Sequence, residues 1–189
     1  MSVDAAERFS QAADLFGSVV HQIRDDQWAN PTPCTDWDVR ALVNHVIGEQ
    51  LWAVPLLDGK TIAEVGDRFD GDQLGTDPVA AWDVASAESK AAFANPGALD
   101  RTVHLSYGDE SAINYCGQMT LDAVVHSWDL ARGIGAPDSL PADLTEYLYG
   151  LVTPMKDLLA ASGMFAAPVA VDPGANTQIR LLALLGRDS

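Results

Sequence analysis

The chain has 189 residues, 48% of them hydrophobic, enough for one globular domain spanning residues 1–189 whose core needs no covalent staples. Eleven basic residues against 27 acidic ones give a formal charge of −16. Such a surface repels phosphate backbones and anionic lipid, so neither nucleic acid nor a membrane is expected as a partner.

Cys34 and Cys116 are too few for a disulfide framework and lack CxxC spacing. Residues 1–10 carry Asp4, Glu7 and Arg8 rather than a basic region followed by an apolar run, so no secretory signal is expected. No segment reaches the roughly 18 uninterrupted apolar residues of a membrane span. The expected compartment is the cytoplasm.

Phe9, Ala12, Phe16, Val19 and Ile23 recur at three- and four-residue steps and predict a first helix from Asp4 to about Asp26, with His21 on its solvent face. Asn30, Pro31 and Pro33 break it. Thr35 followed by Asp38 has the form of a capping box, and a second helix is expected from there to about Val54, before Pro55. Val39, Leu42, Val43, Val46 and Gln50 form its core stripe; His45 borders that stripe, with Glu49 one turn on.

Four glycines and several aspartates between Pro55 and Asp77 indicate a long crossover with at most one helical turn, of the kind that covers a site. Asp77 ahead of Pro78 opens a third helix that Asn95, Pro96 and Gly97 stop. Residues 101–107 read as extended. A fourth helix starts between Ser111 and Tyr115 and ends at Ala131 or Arg132, before Gly133 and Gly135. A fifth follows Pro141 to about Ala161, kinked or divided at Pro154. The apolar segment 164–171 leads to a last short helix or strand from Asn176 to Leu185. The expected fold class is all-α: a bundle of four main helices with one long crossover connection and a short C-terminal appendage.

On the fourth helix, Tyr115, Met119, Asp122, His126 and Asp129 form a stripe more polar than its neighbour. Asp122 and His126, four residues apart, share a face, and with His45 on a packed helix they would offer a divalent cation two nitrogens and an oxygen. The same spacing also occurs in ordinary helix-surface ion pairs.

The run from Thr32 through Glu49 (TPCTDWDVRALVNHVIGE) and the run from Val125 through Arg132 (VHSWDLAR) together resemble an actinobacterial metal-binding family. It is related to the N-terminal domain of mycothiol-dependent maleylpyruvate isomerase, within the DinB-like superfamily. The likeness extends over nearly the whole chain. It implies a four-helix bundle with His45 as first metal ligand, Asp122 as the carboxylate ligand and His126 as the final histidine. The isomerase usually has Glu where Asp122 stands, one methylene longer. Zinc is the first expectation for the ion, with nickel the alternative. The chain is also expected to lack the isomerase's extra C-terminal domain, which shifts the expectation from the named isomerisation to the metal site.

The other polar candidates each keep more than one reading. Glu49 is a fourth ligand, a general base, a hydrogen-bond partner behind a ligand or an exposed helix carboxylate; Asp129 orients a ligand or water, or pairs with Arg132. Arg132 and Arg101 receive a substrate carboxylate or form surface ion pairs, and His104 is solvent-exposed unless its loop folds back. Cys34, ahead of the second helix, is a packed thiol or an activated one. Trp37, Trp52, Trp82 and Trp128 line an apolar pocket or fill the core.

The resemblance implies a metal-dependent enzyme that uses a low-molecular-weight thiol such as mycothiol on a small electrophilic substrate, for thiol transfer (a transferase) or thiol-assisted isomerisation. The alternatives are a non-catalytic metal-binding bundle with a structural or sensing role and a plain interaction bundle with an empty site. A homodimer stays open beside a monomer.

Overall fold

The helix that carries His45 starts where its backbone donors are already met. Its first four N–H groups bond in turn to Asn30 O, Trp28 O, the Asp38 carboxylate and Asp38 O, so none of the donors that open a helix is left over. A computed structural model describes residues 2–163 and 165–188, and in it this helix, α2, spans Val39–Leu57 with Asp38 as its N-cap. The capping box expected at Thr35 does not form. Residues 34–37 instead make a turn, closed by Trp37 N on Cys34 O. The helix also runs through Pro55, because Leu56 and Leu57 beyond it are each 2% exposed in the core. Burying two such side chains is worth about 1.5–3 kcal/mol each, enough to offset an interior proline costing about 3 kcal/mol.

Around α2 stand α1 (Ser2–Val20), α4 (Pro78–Ala94) and α5 (Ala112–Ile134). α1 stops six residues short of the expected end. After Val20 the chain tightens into bonds from Gln22 N to Val19 O and Ile23 N to Val20 O, and buried Gln27 then ties this turn to Ile134 O. α4 is capped by Asp77 with Pro78 at its first position, and α5 runs from its N-cap Ser111 to a left-handed Gly135.

α1 packs on α4 and α5, and α2 on the same two, so α1 and α2 lie diagonally opposite. The apolar interior falls into two clusters. One joins the end of α1 (Phe16, Val20), the start of α2 (Val39, Leu42), Trp82 and Leu130; the other joins Phe9, Leu57, Phe93 and Tyr115. Hence α2 and α4 run parallel, and the connection 58–77 must return along the bundle, as the crossover expectation had it. It contains one turn, α3 (Ile62–Val65), with a Thr61–Glu64 capping box. Asn44 fastens it to α2 through Gly71 O and Gln73 N.

The stretch expected to be extended is half of an antiparallel hairpin, β1 (Thr102–Leu105) and β2 (Gly108–Ser111). Between the two apolar clusters lies a polar layer: Gln50 on α2, Ser86 and Ser89 on α4, and Thr120, His126 and Asp129 on α5, all buried. Ser89 Oγ donates to Gln50 Oε1 at 2.6 Å, and Thr120 and Ser127 bond back to the carbonyls of Cys116 and Ala123.

The chain divides into two compact units, Met1–Asp138 and Ser139–Ser189. In the second, α6 (Ala142–Val152) and α7 (Lys156–Ser162) are separated by a 3-10 turn at Thr153–Met155, the division expected at Pro154. Met164 lies outside the described residues. The closing stretch is a helix, α8 (Thr177–Leu184), which packs on α6 with Arg180 over the Tyr149 ring. Among the described residues no helix is long and apolar enough to cross a membrane.

Candidate metal centre

α2 and α5 bring His45, Asp122 and His126 together in the polar layer. Both imidazole Nε2 atoms lie 3.4 Å from the same oxygen, Asp122 Oδ1, and the three ligand atoms fall within 4.8 Å of one another. A separation of 3.4 Å is long for a charge-assisted hydrogen bond. It matches the edge of a tetrahedron, about 3.3 Å when ligands sit ~2.0–2.1 Å from a common zinc ion. Asp122, for all its short side chain, thus stands at ligand-to-ligand distance from both imidazoles. Its second oxygen, Oδ2, is buried without a hydrogen-bond partner. Two imidazole nitrogens and a carboxylate are a donor set suited to a divalent cation.

One turn after His126, Asp129 is fully buried and its Oδ2 accepts from His126 Nδ1 at 3.0 Å. That bond keeps the hydrogen on Nδ1 when the ring is neutral and leaves Nε2 facing Asp122 and His45. Of the two readings of Asp129, the orienting one describes its place; Arg132 pairs instead with Asp138 at 3.1 Å and lies over the Trp128 ring. Arg132 is exposed, outside the metal-ligand group.

Trp37 closes one side of the centre. Its ring stacks on His45 with centroids 4.4 Å apart and tilts against His126 at 5.6 Å, while the two imidazoles meet edge to face at 5.2 Å. Thr32 Oγ1 holds the Trp37 carbonyl at 2.8 Å, so the turn before α2 fixes the indole as well as the helix start. The other tryptophans do not share a pocket with it. Trp82 and Trp128 fill the core, and Trp52 meets Phe69. Nothing in the helical periodicity singles out Trp37, because it lies outside the helix.

The electrostatics of these side chains follow from this packing. Burial opposes the Asp122 carboxylate, but His126 and then His45 outweigh it and hold the carboxyl well below its usual range. Burial likewise pulls the His126 imidazole down, yet Asp122 and then Asp129 push it up to about 9. Glu49 is half-buried rather than exposed. Burial and then Asp122 raise its pKa, partly countered by His45 and His126, so it lies within reach of the site's charges without joining the three converging ligands.

The remaining candidates are placed elsewhere. Arg101 Nη1 donates to Leu57 O at the end of α2, and His104 pairs with Asp109 across the hairpin at 2.7 Å. Cys34 sits five residues ahead of α2, packed against the first apolar cluster rather than at a helix terminus. Cys116 is buried, and burial pushes its thiol up to about 12.

A bundle of this topology with a His/Asp/His group on its second and last helices has the all-α, DinB-like architecture. The model of the mycothiol maleylpyruvate isomerase N-terminal domain family matches residues 9–131, which contain every helix of the bundle in whole or in large part, and the chain belongs to that family. Two relatives, the uncharacterized proteins MT0763 and Rv0738 of Mycobacterium tuberculosis, are each 32% identical over 146 residues, covering 75% of this chain and 74% of theirs. No solved structure matches the chain significantly.

Proposed function

We propose that His45, Asp122 and His126 hold one divalent cation, zinc first and nickel as the alternative, and that the protein acts in the cytoplasm on a small electrophile with a low-molecular-weight thiol such as mycothiol. The observation that carries this reading is the approach of two imidazole Nε2 atoms to one carboxylate oxygen at ligand-to-ligand spacing, with His126 oriented by buried Asp129. When bound, the cation would supply Lewis acidity that lowers the pKa of a thiol in an open position.

The chain's own residues do the rest. Asp129 holds His126 in one tautomer. Trp37 covers the imidazole faces and excludes water from that side. Glu49, whose burial raises its proton affinity, is the group suited to take the proton the thiol gives up. Thiol transfer and thiol-assisted isomerisation both begin with that proton's departure and a new sulfur–carbon bond, formed as a π bond of the electrophile opens and its electron pair moves to the adjacent acceptor atom.

A reactive centre is favoured over a closed structural ion because three protein ligands leave positions for exogenous groups and because the His45 and Asp122 side chains remain 28% and 27% exposed. Cobalt substitution tests the reading. Titrating the cobalt-loaded protein with mycothiol should raise an intense sulfur-to-metal charge-transfer band saturably near neutral pH. A spectrum unchanged by mycothiol and by other cellular thiols, with cobalt retained, would leave a non-catalytic metal module as the better account.

A further inference from the structure

Tyr115 stands two turns before Asp122 on the same face of α5, 4% exposed, its ring tilted against Phe93 at 5.8 Å. Its hydroxyl is buried and has no hydrogen-bond partner. Among the described residues the buried side-chain polar atoms left in this condition are Gln50 Nε2, Tyr115 OH and Asp122 Oδ2, and all three sit on α2 and α5, the helices that build the metal centre. Buried polar groups are paired as a rule, so unmet valences gathered on one pair of helices call for a ligand or an ordered water.

The chemistry of that ligand follows from what is left over. Tyr115 offers a donor. Burial raises its pKa well above the ordinary value, and Glu49 and then Asp122 raise it further, so the group stays an O–H donor at neutral pH. Asp122 Oδ2 offers an acceptor, and with Oδ1 facing both imidazoles it remains available to another group. The two are not bonded to each other. A group that satisfies both must present an acceptor to Tyr115 and a donor to the carboxylate, and a secondary amide does so through its C=O and its N–H.

We propose that Tyr115 is a positioning and specificity residue whose hydroxyl holds the amide carbonyl of an amide-bearing thiol between α2 and α5, beside the His45–Asp122–His126 centre. This rests on the thiol reading above.

Two neutral thiols separate the possibilities on the cobalt-loaded protein: N-acetylcysteamine, which carries a secondary amide, and ethanethiol, which carries no hydrogen-bonding group beyond sulfur. The unsubstituted protein should bind N-acetylcysteamine more tightly than ethanethiol by about tenfold or more, the worth of one well-made hydrogen bond. Tyr115→Phe should erase that preference while leaving cobalt affinity and ethanethiol binding unchanged. Its thermal midpoint should hold or rise, because the hydroxyl it removes bonds to nothing in the protein.

No preference in the unsubstituted protein, an equal preference in Tyr115→Phe, or a lowered midpoint would overturn the proposal. The last would assign the hydroxyl to a structural water. Absence of a thiolate band with either thiol in the unsubstituted protein would instead remove the thiol reading itself, and this inference with it.

Discussion

Histidine meets aspartate on both sides of the bundle, to different effect. Beside α1 and α4, His21 Nε2 and Asp83 Oδ1 lie 2.8 Å apart with both side chains more than half exposed, 52% and 54%. Between α2 and α5, His45 and His126 approach Asp122 only to 3.4 Å, with His126 8% exposed and an Asp122 oxygen left unpaired. The shorter contact is the less informative one. An exposed ion pair trades one set of water bonds for another and is worth little, whereas a buried carboxylate oxygen with no partner, beside two long contacts to its twin, leaves bonding capacity for a further group. What sets the second group apart is two imidazoles sharing one carboxylate oxygen, with His126 and the other Asp122 oxygen withdrawn from water, rather than proximity of complementary residues alone.

Proton competition should separate the two pairs most strongly. A cation needs neutral imidazole, and in the metal-free protein His126 is held protonated up to about 9. Zinc affinity measured by competition with a chelator should therefore rise about tenfold per pH unit from pH 6 to 8 and level off near 9. The sign for stability without metal is the reverse. A pKa raised above the ordinary imidazole value of 6.5 contributes stability present below 6.5 and lost as pH rises through about 9, so the protein without metal should weaken over that window. A pH-independent zinc affinity would show that His126 is not displaced from its proton by the ion.

Asp129→Asn should come next. The side chain keeps its shape in a fully buried position but loses the charge that orients His126, and zinc affinity should fall about 10- to 100-fold with the helical content unchanged. The smallest effect belongs to the other side of the bundle. His21→Ala should shift unfolding free energy by no more than ~1 kcal/mol and leave zinc affinity as it was. A zinc-binding defect there would break the contrast between the two pairs.

Much of the bundle is legible in the sequence because its signals are local. Asp77 with Pro78 fixes the start of α4, Ser111 and Gly135 bracket α5, and the stripe from Tyr115 to Asp129 already holds Asp122, His126 and the residues around them. The misses have tertiary causes. Thr35 and Asp38 are both able to cap a helix, and the choice of Asp38 depends on the carbonyls of Asn30 and Trp28, which a return of the chain brings to the first turn. β2 is Gly108 followed by an unbroken polar run, Asp109, Glu110 and Ser111, with no alternation to announce it, and its partner strand supplies the rest. Whether Asp129 pairs with Arg132 or with His126 depends on which side of α5 is buried. Trp37 comes to lie over His45 through a turn pinned by Thr32, which no periodicity records.

The central claim is that His45, Asp122 and His126 converge on one cation, and counting metal ions per chain tests it most directly. Native mass spectrometry of the protein titrated with zinc should show one ion per chain, and His126→Ala should show none at the same zinc concentration while its far-ultraviolet circular dichroism stays that of a helical bundle. An unsubstituted protein that takes up no zinc or nickel, or a His126→Ala variant that fills as completely as its parent, would contradict it.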